Sequence, residues 1–332
     1  MIIDTHAHHV PASFLEDALA RAGQFPSARL TIEADKPRFQ FAGGTPTRPM
    51  MPAMSDVPRR VSWMTAQGLD RQVVGGWLDM FGYELPAREG VAWSTLFNHH
   101  MHAAARDHQI LLPLASVPMQ DGAAAAEVLQ EAMRTGFCGA MIGAQPRGVG
   151  GNLDDARLDP FWQAASDLGA VVLVHPMYAC PDVRVNDFEM INAVARVTDV
   201  TIAVARLLYS GHILRYSGAK VIVSTGGGAL PYMLGRLKRN AAIHPGKWAD
   251  PEAGFRRLYF DSLVFEPAAL RYLVDMVGAD RVLLGSDYPF PIGDLEPLTL
   301  IRNTGLPDAA VDAICQTNAA RLFHFQGAAG PR

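Results

Sequence analysis

The chain opens with Asp4-Thr5-His6-Ala7-His8, directly after a short apolar run that reads as a strand over Met1–Asp4. Side chains alternate along a strand, so His6 and His8 point to one side. Two imidazoles on one face at one strand end can chelate a divalent metal. Three more apolar runs end in polar groups. Val171–Val174 runs into His175-Pro176, and Val282–Leu284 into Gly285-Ser286-Asp287. Lys220–Val223 runs into Ser224-Thr225 and the glycines Gly226–Gly228. Any one of these residues, taken alone, reads equally well as an ordinary hydrogen-bonded side chain. Together, His6, His8, His175 and Asp287 supply three imidazoles and a carboxylate. That set suits one divalent ion, most simply Zn2+, with Mn2+ or Fe2+ as competitors, and leaves a position for water or substrate.

These residues need elements that bring strand ends to one place. Eight short apolar runs read as strands: the four above, together with Gln72–Gly76, Leu111–Ala115, Ala140–Ile142 and Leu258–Asp261. Helical patterns lie between them, among them Ala87–His108, Ala123–Arg134, Pro160–Leu168, Leu230–Ala241 and Pro267–Val277. Strands alternating with helices predict a parallel sheet, and eight such units predict an α/β (β/α)8 TIM barrel rather than an open doubly wound sheet. Active sites of such barrels sit at the C-terminal ends of the strands. The stretch Arg29–Gly44, RLTIEADKPRFQFAGG, alternates on both sides of Lys36-Pro37 and predicts a small β-hairpin, inserted near 27–44 after strand 1. The expected organisation is one barrel domain over 1–325 and a flexible tail over 326–332.

Composition excludes several classes. Of 332 residues, 49% are hydrophobic and the net charge is only −4, so disorder and nucleic-acid binding through bulk basic charge are not expected. No run approaches the ~18 apolar residues of a membrane span, and the N-terminus lacks the basic and apolar regions of a signal peptide. The cysteines Cys138, Cys180 and Cys315 are few and widely spaced, which fits a reducing cytoplasm. His99, His100, His102 and His108 read as a polar helix face, and His212 and His244 as surface residues. The tryptophans read as packing, except that Trp77, with Asp79, Met80 and Phe81 after it, could line a pocket.

The motifs IDTHAHHVP at Ile3–Pro11, MFGY at Met80–Tyr83 and LVHP at Leu173–Pro176 resemble the amidohydrolase superfamily, in its second subgroup. So do GGGALPYMLGR at Gly226–Arg236, FDSLVF at Phe260–Phe265 and LLGSDYPFP at Leu283–Pro291. Within it the chain is most similar to the α-amino-β-carboxymuconate-ε-semialdehyde decarboxylases and related aromatic-acid decarboxylases. The resemblance covers nearly the whole chain. It implies a metal held by His6, His8, His175 and Asp287, with His175 and Asp287 also catalytic. It further implies a homodimer in which Arg236 reaches the neighbouring site, and Arg48 as a second carboxylate clamp. Arginine suits that role because its planar fork pairs bidentately with a carboxylate. Trp77, Phe81 and Thr225 complete the expected substrate contacts.

One position departs from the family pattern. The relatives carry a histidine before the three glycines, where it helps activate water at the metal; here the residue is Thr225, which cannot act as a base near neutral pH. Either Asp287 takes over the proton, or another imidazole does, His9 being nearest in sequence, or the chain is catalytically weak. The expected activity is therefore non-oxidative decarboxylation of a small carboxylated aromatic, heteroaromatic or ring-cleavage product. A hydrolase or hydratase of the same superfamily is the first alternative. A non-catalytic partner subunit is the second.

Overall fold

The computed structural model describes residues 1–34, 36–146, 151–177, 180 and 182–324. The tail expected over 326–332 lies outside them. The strands are β1 (Ile3–His8), β2 (Ala28–Glu33), β3 (Lys36–Phe41), β4 (Arg71–Gly75), β5 (Leu111–Pro113) and β6 (Gly139–Gly143). They continue with β7 (Val171–His175), β8 (Lys220–Val223), β9 (Tyr259–Asp261) and β10 (Val282–Leu283).

Two parallel sheets, β1-β4-β5 and β10-β9-β8-β7-β6, meet at both edges. Ala115 bridges to Ala140 on one side and Ala7 to Tyr288 on the other, both in parallel sense. The Ala115 amide donates to Gly139 O at 2.8 Å, the Thr5 amide to Leu284 O at 2.8 Å and the His8 amide to Tyr288 O at 2.7 Å. The ring is closed, and all eight predicted strands are in it. Residues such as Val171–Val174 and Val221–Val223 are buried on both faces, which is why these strands read as continuous apolar runs. Gly285 allows the last strand to close on the first. A Cβ there would meet Asp261 Cβ at 2.9 Å and His6 Cβ at 3.1 Å.

The five predicted helices form within a residue or two of their expected ends, as Ala87–Asp107, Gly122–Arg134, Asp159–Asp167, Leu230–Ala242 and Pro267–Val277. Helices over Ala12–Ala20, Val57–Gln67 and Arg196–Tyr209 join them. The last is preceded by a π-helical turn over Ile191–Ala195. The inserted hairpin is β2–β3, paired from Ala28↔Phe41 to Glu33↔Lys36. Its turn therefore falls after Glu33, not at Lys36-Pro37. Pro37 sits inside β3 opposite Ile32, in a two-stranded sheet where a missing amide is tolerated. His212, expected at the surface, is buried: its Nδ1 meets Ser210 Oγ at 2.7 Å and its Nε2 meets Asp159 Oδ1 at 3.1 Å. Among the described residues no helix is long and apolar enough to cross a membrane.

Candidate metal centre

Strand geometry delivers the first two ligand candidates. His6 and His8 occupy alternate positions at the C-terminal end of β1, so both rings face the barrel mouth. His175 ends β7, and Asp287 follows β10. Asp287 has φ +59°, a left-handed conformation that Asp tolerates better than most residues. The imidazole centroids of His6, His8 and His175 lie 5.4, 5.0 and 4.9 Å apart, pairwise. One ligand atom from each of the four residues lies within 4.8 Å of the others.

The inner nitrogens are locked. His6 Nδ1 contacts Asp261 Oδ2 at 2.7 Å, His8 Nδ1 contacts Gly76 O at 2.9 Å, and His175 Nδ1 contacts Pro176 O at 2.9 Å. A carboxylate or carbonyl oxygen only accepts, so each Nδ1 carries the proton. A ring that carries only that proton presents a bare Nε2. These three atoms surround Asp287 Oδ1 at 3.5, 2.9 and 3.8 Å for His6, His8 and His175. Lone pairs facing a carboxylate oxygen repel unless a cation lies between them. His6 Nε2 is buried without a hydrogen-bond partner. The donor set of three imidazole nitrogens and one carboxylate oxygen therefore fits a divalent metal ion.

The electrostatics agree. Burial alone would raise the Asp287 carboxyl, but the surrounding imidazoles hold it far below the usual range. Burial pushes His175 down to about 3, so it stays neutral. Burial would also lower His6, yet the bond to Asp261 and the charges of Asp287, Asp261 and Asp4 raise it. The cluster favours positive charge where its ligand atoms meet.

Two supporting residues lie outside the ligand set read from the sequence, although Asp261 falls within the FDSLVF motif. Asp261, at the end of β9, accepts from His6 Nδ1 and the Thr225 amide (3.0 Å) at Oδ2, and from the Gly226 (2.7 Å) and Leu263 (3.2 Å) amides at Oδ1. It orients a candidate ligand and the glycine turn at once. Its place at a predicted strand end was the available signal. Arg60 is fully buried, with Nη1 donating to Gln72 Oε1 at 2.6 Å and Nη2 to His8 O at 2.5 Å. Gln72 Nε2 donates to Asp4 Oδ2 at 2.7 Å, and Asp4 also accepts from Ser286 Oγ at 2.5 Å. This chain ties the strand bearing His6 and His8 to the loop bearing Asp287. Burial pushes the Asp4 carboxyl up to about 6 against the bonds from Ser286 and Gln72.

The cluster opens on a cavity of about 680 Å3, lined by His175, Thr225, Asp287, Asn192 and Arg196 together with apolar side chains that include Phe265 and Ile292. Thr225 has φ +54°, and its hydroxyl donates to Ser224 O at 2.7 Å. His9 does not replace the missing imidazole: it is buried, with Nδ1 on Met54 O at 2.7 Å, on the opposite side of β1. Trp77 and Phe81 do not line this cavity. Both are buried in the core, where Trp77 lies under the Arg48 guanidinium at 5.6 Å. Arg48 also lies 5.5 Å from the Phe290 ring centroid, and its Nε donates to Asp79 Oδ2 at 3.1 Å. It lines an adjoining cavity of about 570 Å3. Arg236 is exposed on helix Leu230–Ala242, away from its own chain's cavity.

A closed parallel barrel with a histidine-rich carboxylate cluster at its strand ends defines a class of metal-dependent enzymes. The model of the amidohydrolase family matches residues 3–325, and the chain belongs to that family. It is 28% identical over 251 residues to the 2-amino-3-carboxymuconate-6-semialdehyde decarboxylase of Dictyostelium discoideum, covering 74% of this chain and 69% of the relative. The solved 5-carboxyvanillate decarboxylase of Sphingomonas paucimobilis superposes with a TM-score of 0.81 at 22% identity, covering 98% and 99% of the two chains. The dihydroxybenzoic acid decarboxylase of Polaromonas sp. JS666, solved with bound manganese and the inhibitor 2-nitroresorcinol, gives 0.79 at 21% identity, covering 97% and 96%.

Proposed function

We propose that this chain is a metal-dependent, non-oxidative decarboxylase of a small carboxylated aromatic, heteroaromatic or ring-cleavage acid. The observation that carries the reading is the convergence of three Nδ1-locked imidazoles on Asp287 Oδ1, at the floor of a cavity that also holds a guanidinium. The named activities of the Dictyostelium, Sphingomonas and Polaromonas relatives support it.

His6, His8, His175 and Asp287 would hold the ion. When bound, it supplies a Lewis acid that orients the acid and draws charge from the oxygen beside the departing carboxylate. The rest is the work of side chains. Asp287 rests ionised, so it begins as a proton acceptor at its other oxygen, Oδ2. A proton taken there from a substrate hydroxyl or water is handed to the carbon that loses carbon dioxide. Thr225 borders the reacting group without titrating. The apolar lining holds the ring and limits water.

Three finer points belong to the same proposal. Zinc suits the three-nitrogen, one-oxygen set, with manganese, held by the Polaromonas relative, and iron as competitors. The protein works as a homodimer in which Arg236 and Arg48 hold carboxylates, Arg236 from the neighbouring subunit. Tyr232, 84% exposed one turn before Arg236, gives that helix face an apolar contact. The three free cysteines suit the cytoplasm.

The test begins with the metal content of protein purified without added metal or chelator, expected near one ion per chain. The metal-loaded protein is then screened against carboxylated aromatics for carbon dioxide release. A product heavier by one water would assign hydration or hydrolysis instead. Failure to take up zinc, manganese or iron would overturn the enzymatic reading in favour of a partner subunit.

A further inference from the structure

At the end of the barrel opposite the metal centre, three cations line one small cavity. Lys220 opens β8, Arg257 stands shortly before β9, and Arg281 directly before β10. These strands are neighbours in one parallel sheet, so their N-terminal ends bring the three side chains together. The cavity holds about 200 Å3, and Ser217 and Tyr259 share its lining. Its walls are anchored. The Lys220 amide donates to Ala170 O at 2.9 Å, and the Gly218 amide to Ser166 Oγ at 3.0 Å. A Cβ on Gly218 would meet Ser166 O at 2.1 Å, so this turn packs closely on the helix Asp159–Asp167. The Arg281 guanidinium lies 4.9 Å from the Tyr259 ring centroid, and Arg257 Nη2 donates to Ser217 O at 3.0 Å.

The charge around this cavity is not balanced. Among the described residues, the one carboxylate paired with any of the three cations is Asp280, with Oδ2 3.5 Å from Arg281 Nε. The Lys220 ammonium makes no ion pair or hydrogen bond among those residues, and the partner of Arg257 is a neutral carbonyl. Three like charges at one cavity repel each other, and an anion seated among them replaces that repulsion with attraction. A tetrahedral oxyanion suits the lining. It accepts in several directions at once, from a point-like ammonium and from guanidinium forks. The volume suits one small ion with a few waters. We propose that this cavity is a second ligand site, for phosphate or the phosphoryl group of a small molecule, and that the bound anion clamps the starts of β8, β9 and β10. The clamp stabilises the folded barrel by mass action. It also braces the strands that lead, at their far ends, to Thr225, Asp261 and Asp287. The site stands apart from the metal centre and does not depend on the decarboxylase reading.

The test is thermal melting of the metal-loaded full chain in phosphate against chloride, at one pH and one ionic strength. Wild type in about 20 mM inorganic phosphate is expected to melt about 2 °C or more above its value in chloride. Lys220→Gln and Arg257→Gln should each lose much of that rise, and the chain carrying both should lose all of it. Lys220→Arg, which keeps the charge, should retain it. In chloride, Lys220→Gln should melt no lower than wild type, because it removes one of three like charges around the cavity. Glycerol 3-phosphate separates the two sources of the anion. A rise equal to or above that with phosphate assigns the phosphoryl group of a small molecule, and a rise with inorganic phosphate alone assigns the free ion. Three results would overturn the proposal. One is no rise in the wild type. Another is a full rise in the chain carrying both Lys220→Gln and Arg257→Gln, which would assign the effect to the metal centre or to salt in general. The third is a lower melting temperature of Lys220→Gln in chloride, which would make Lys220 a structural contact.

Discussion

Asp261→Asn isolates the logic of the cluster in one atom. Asp261 Oδ1 accepts from two backbone amides, Gly226 and Leu263, which cannot reverse their polarity. An asparagine therefore keeps its carbonyl oxygen on that side and turns its NH2 group toward the Thr225 amide and His6 Nδ1. His6 Nδ1, at 2.7 Å, can meet an NH2 group only as an acceptor, so the ring proton moves to Nε2. That is the atom aimed at Asp287, and its lone pair is lost to the metal. Removing a partner that orients a ligating histidine typically weakens metal binding by about 10- to 100-fold. The Thr225 amide also loses its acceptor, at a cost of about 1–3 kcal/mol if it stays buried. The expected variant folds, melts lower than wild type without metal, and binds zinc at least about tenfold more weakly in competition with a chromophoric chelator. Wild-type zinc affinity in Asp261→Asn would refute the claim that Asp261 sets the His6 tautomer.

Other perturbations test neighbouring parts of the structure. Burial holds His9 down to about 3, against an ordinary value near 6.5, so the unfolded chain binds the extra proton first. This contribution is complete above pH ~6.5 and is lost as pH falls toward 3, at about 1.4 kcal/mol per unit; His9→Gln should remove about one proton from the pH slope of denaturant stability, and an unchanged slope would refute it. Gly285→Ala forces a methyl between His6 and Asp261 and should cost about 1–3 kcal/mol and weaken metal uptake, as read by melting with and without zinc. Arg60→Met strands Gln72 Oε1 and His8 O and should lower stability by about 2 kcal/mol or more in urea unfolding. Thr225→His should leave turnover of the enzyme's own substrate unchanged or slower, and a large gain in carbon dioxide release would show Thr225 to be a lesion.

What the sequence made legible follows from which signals are local. The eight strands are short apolar runs between turn residues, and buried parallel strands leave that mark directly. His6, His8, His175 and Asp287 stand out because each adjoins such a run. The hairpin was legible as alternation, but its turn was not. Lys36-Pro37 has the chemistry of a turn, yet the pairing Glu33↔Lys36 places the reversal earlier. Asp261 was visible inside the FDSLVF motif but without a role, and Arg60 carried no mark, because their partners are remote: His6 lies 255 residues from Asp261, and Arg60 reaches His8 across 52.

The substitution at Thr225 looks different once its surroundings are known. An imidazole there would have added a second titrating group to the cavity lining. Thr225 instead commits its hydroxyl proton to Ser224 O and its amide to Asp261. His9 is pinned to Met54, and His175 is the only imidazole lining the cavity among the described residues. With His175 neutral and its Nδ1 proton given to Pro176 O, the proposed chemistry leaves Asp287 Oδ2 as the proton acceptor. A site with one proton carrier suits a reaction that moves one proton, from a substrate hydroxyl or water to the carbon left by carbon dioxide. Attack by water on a carbonyl needs a proton removed from the nucleophile and another delivered to the leaving group, and here Asp287 would have to do both in turn. The threonine thus favours the proposed decarboxylation over hydrolysis and leaves the four candidate metal ligands untouched.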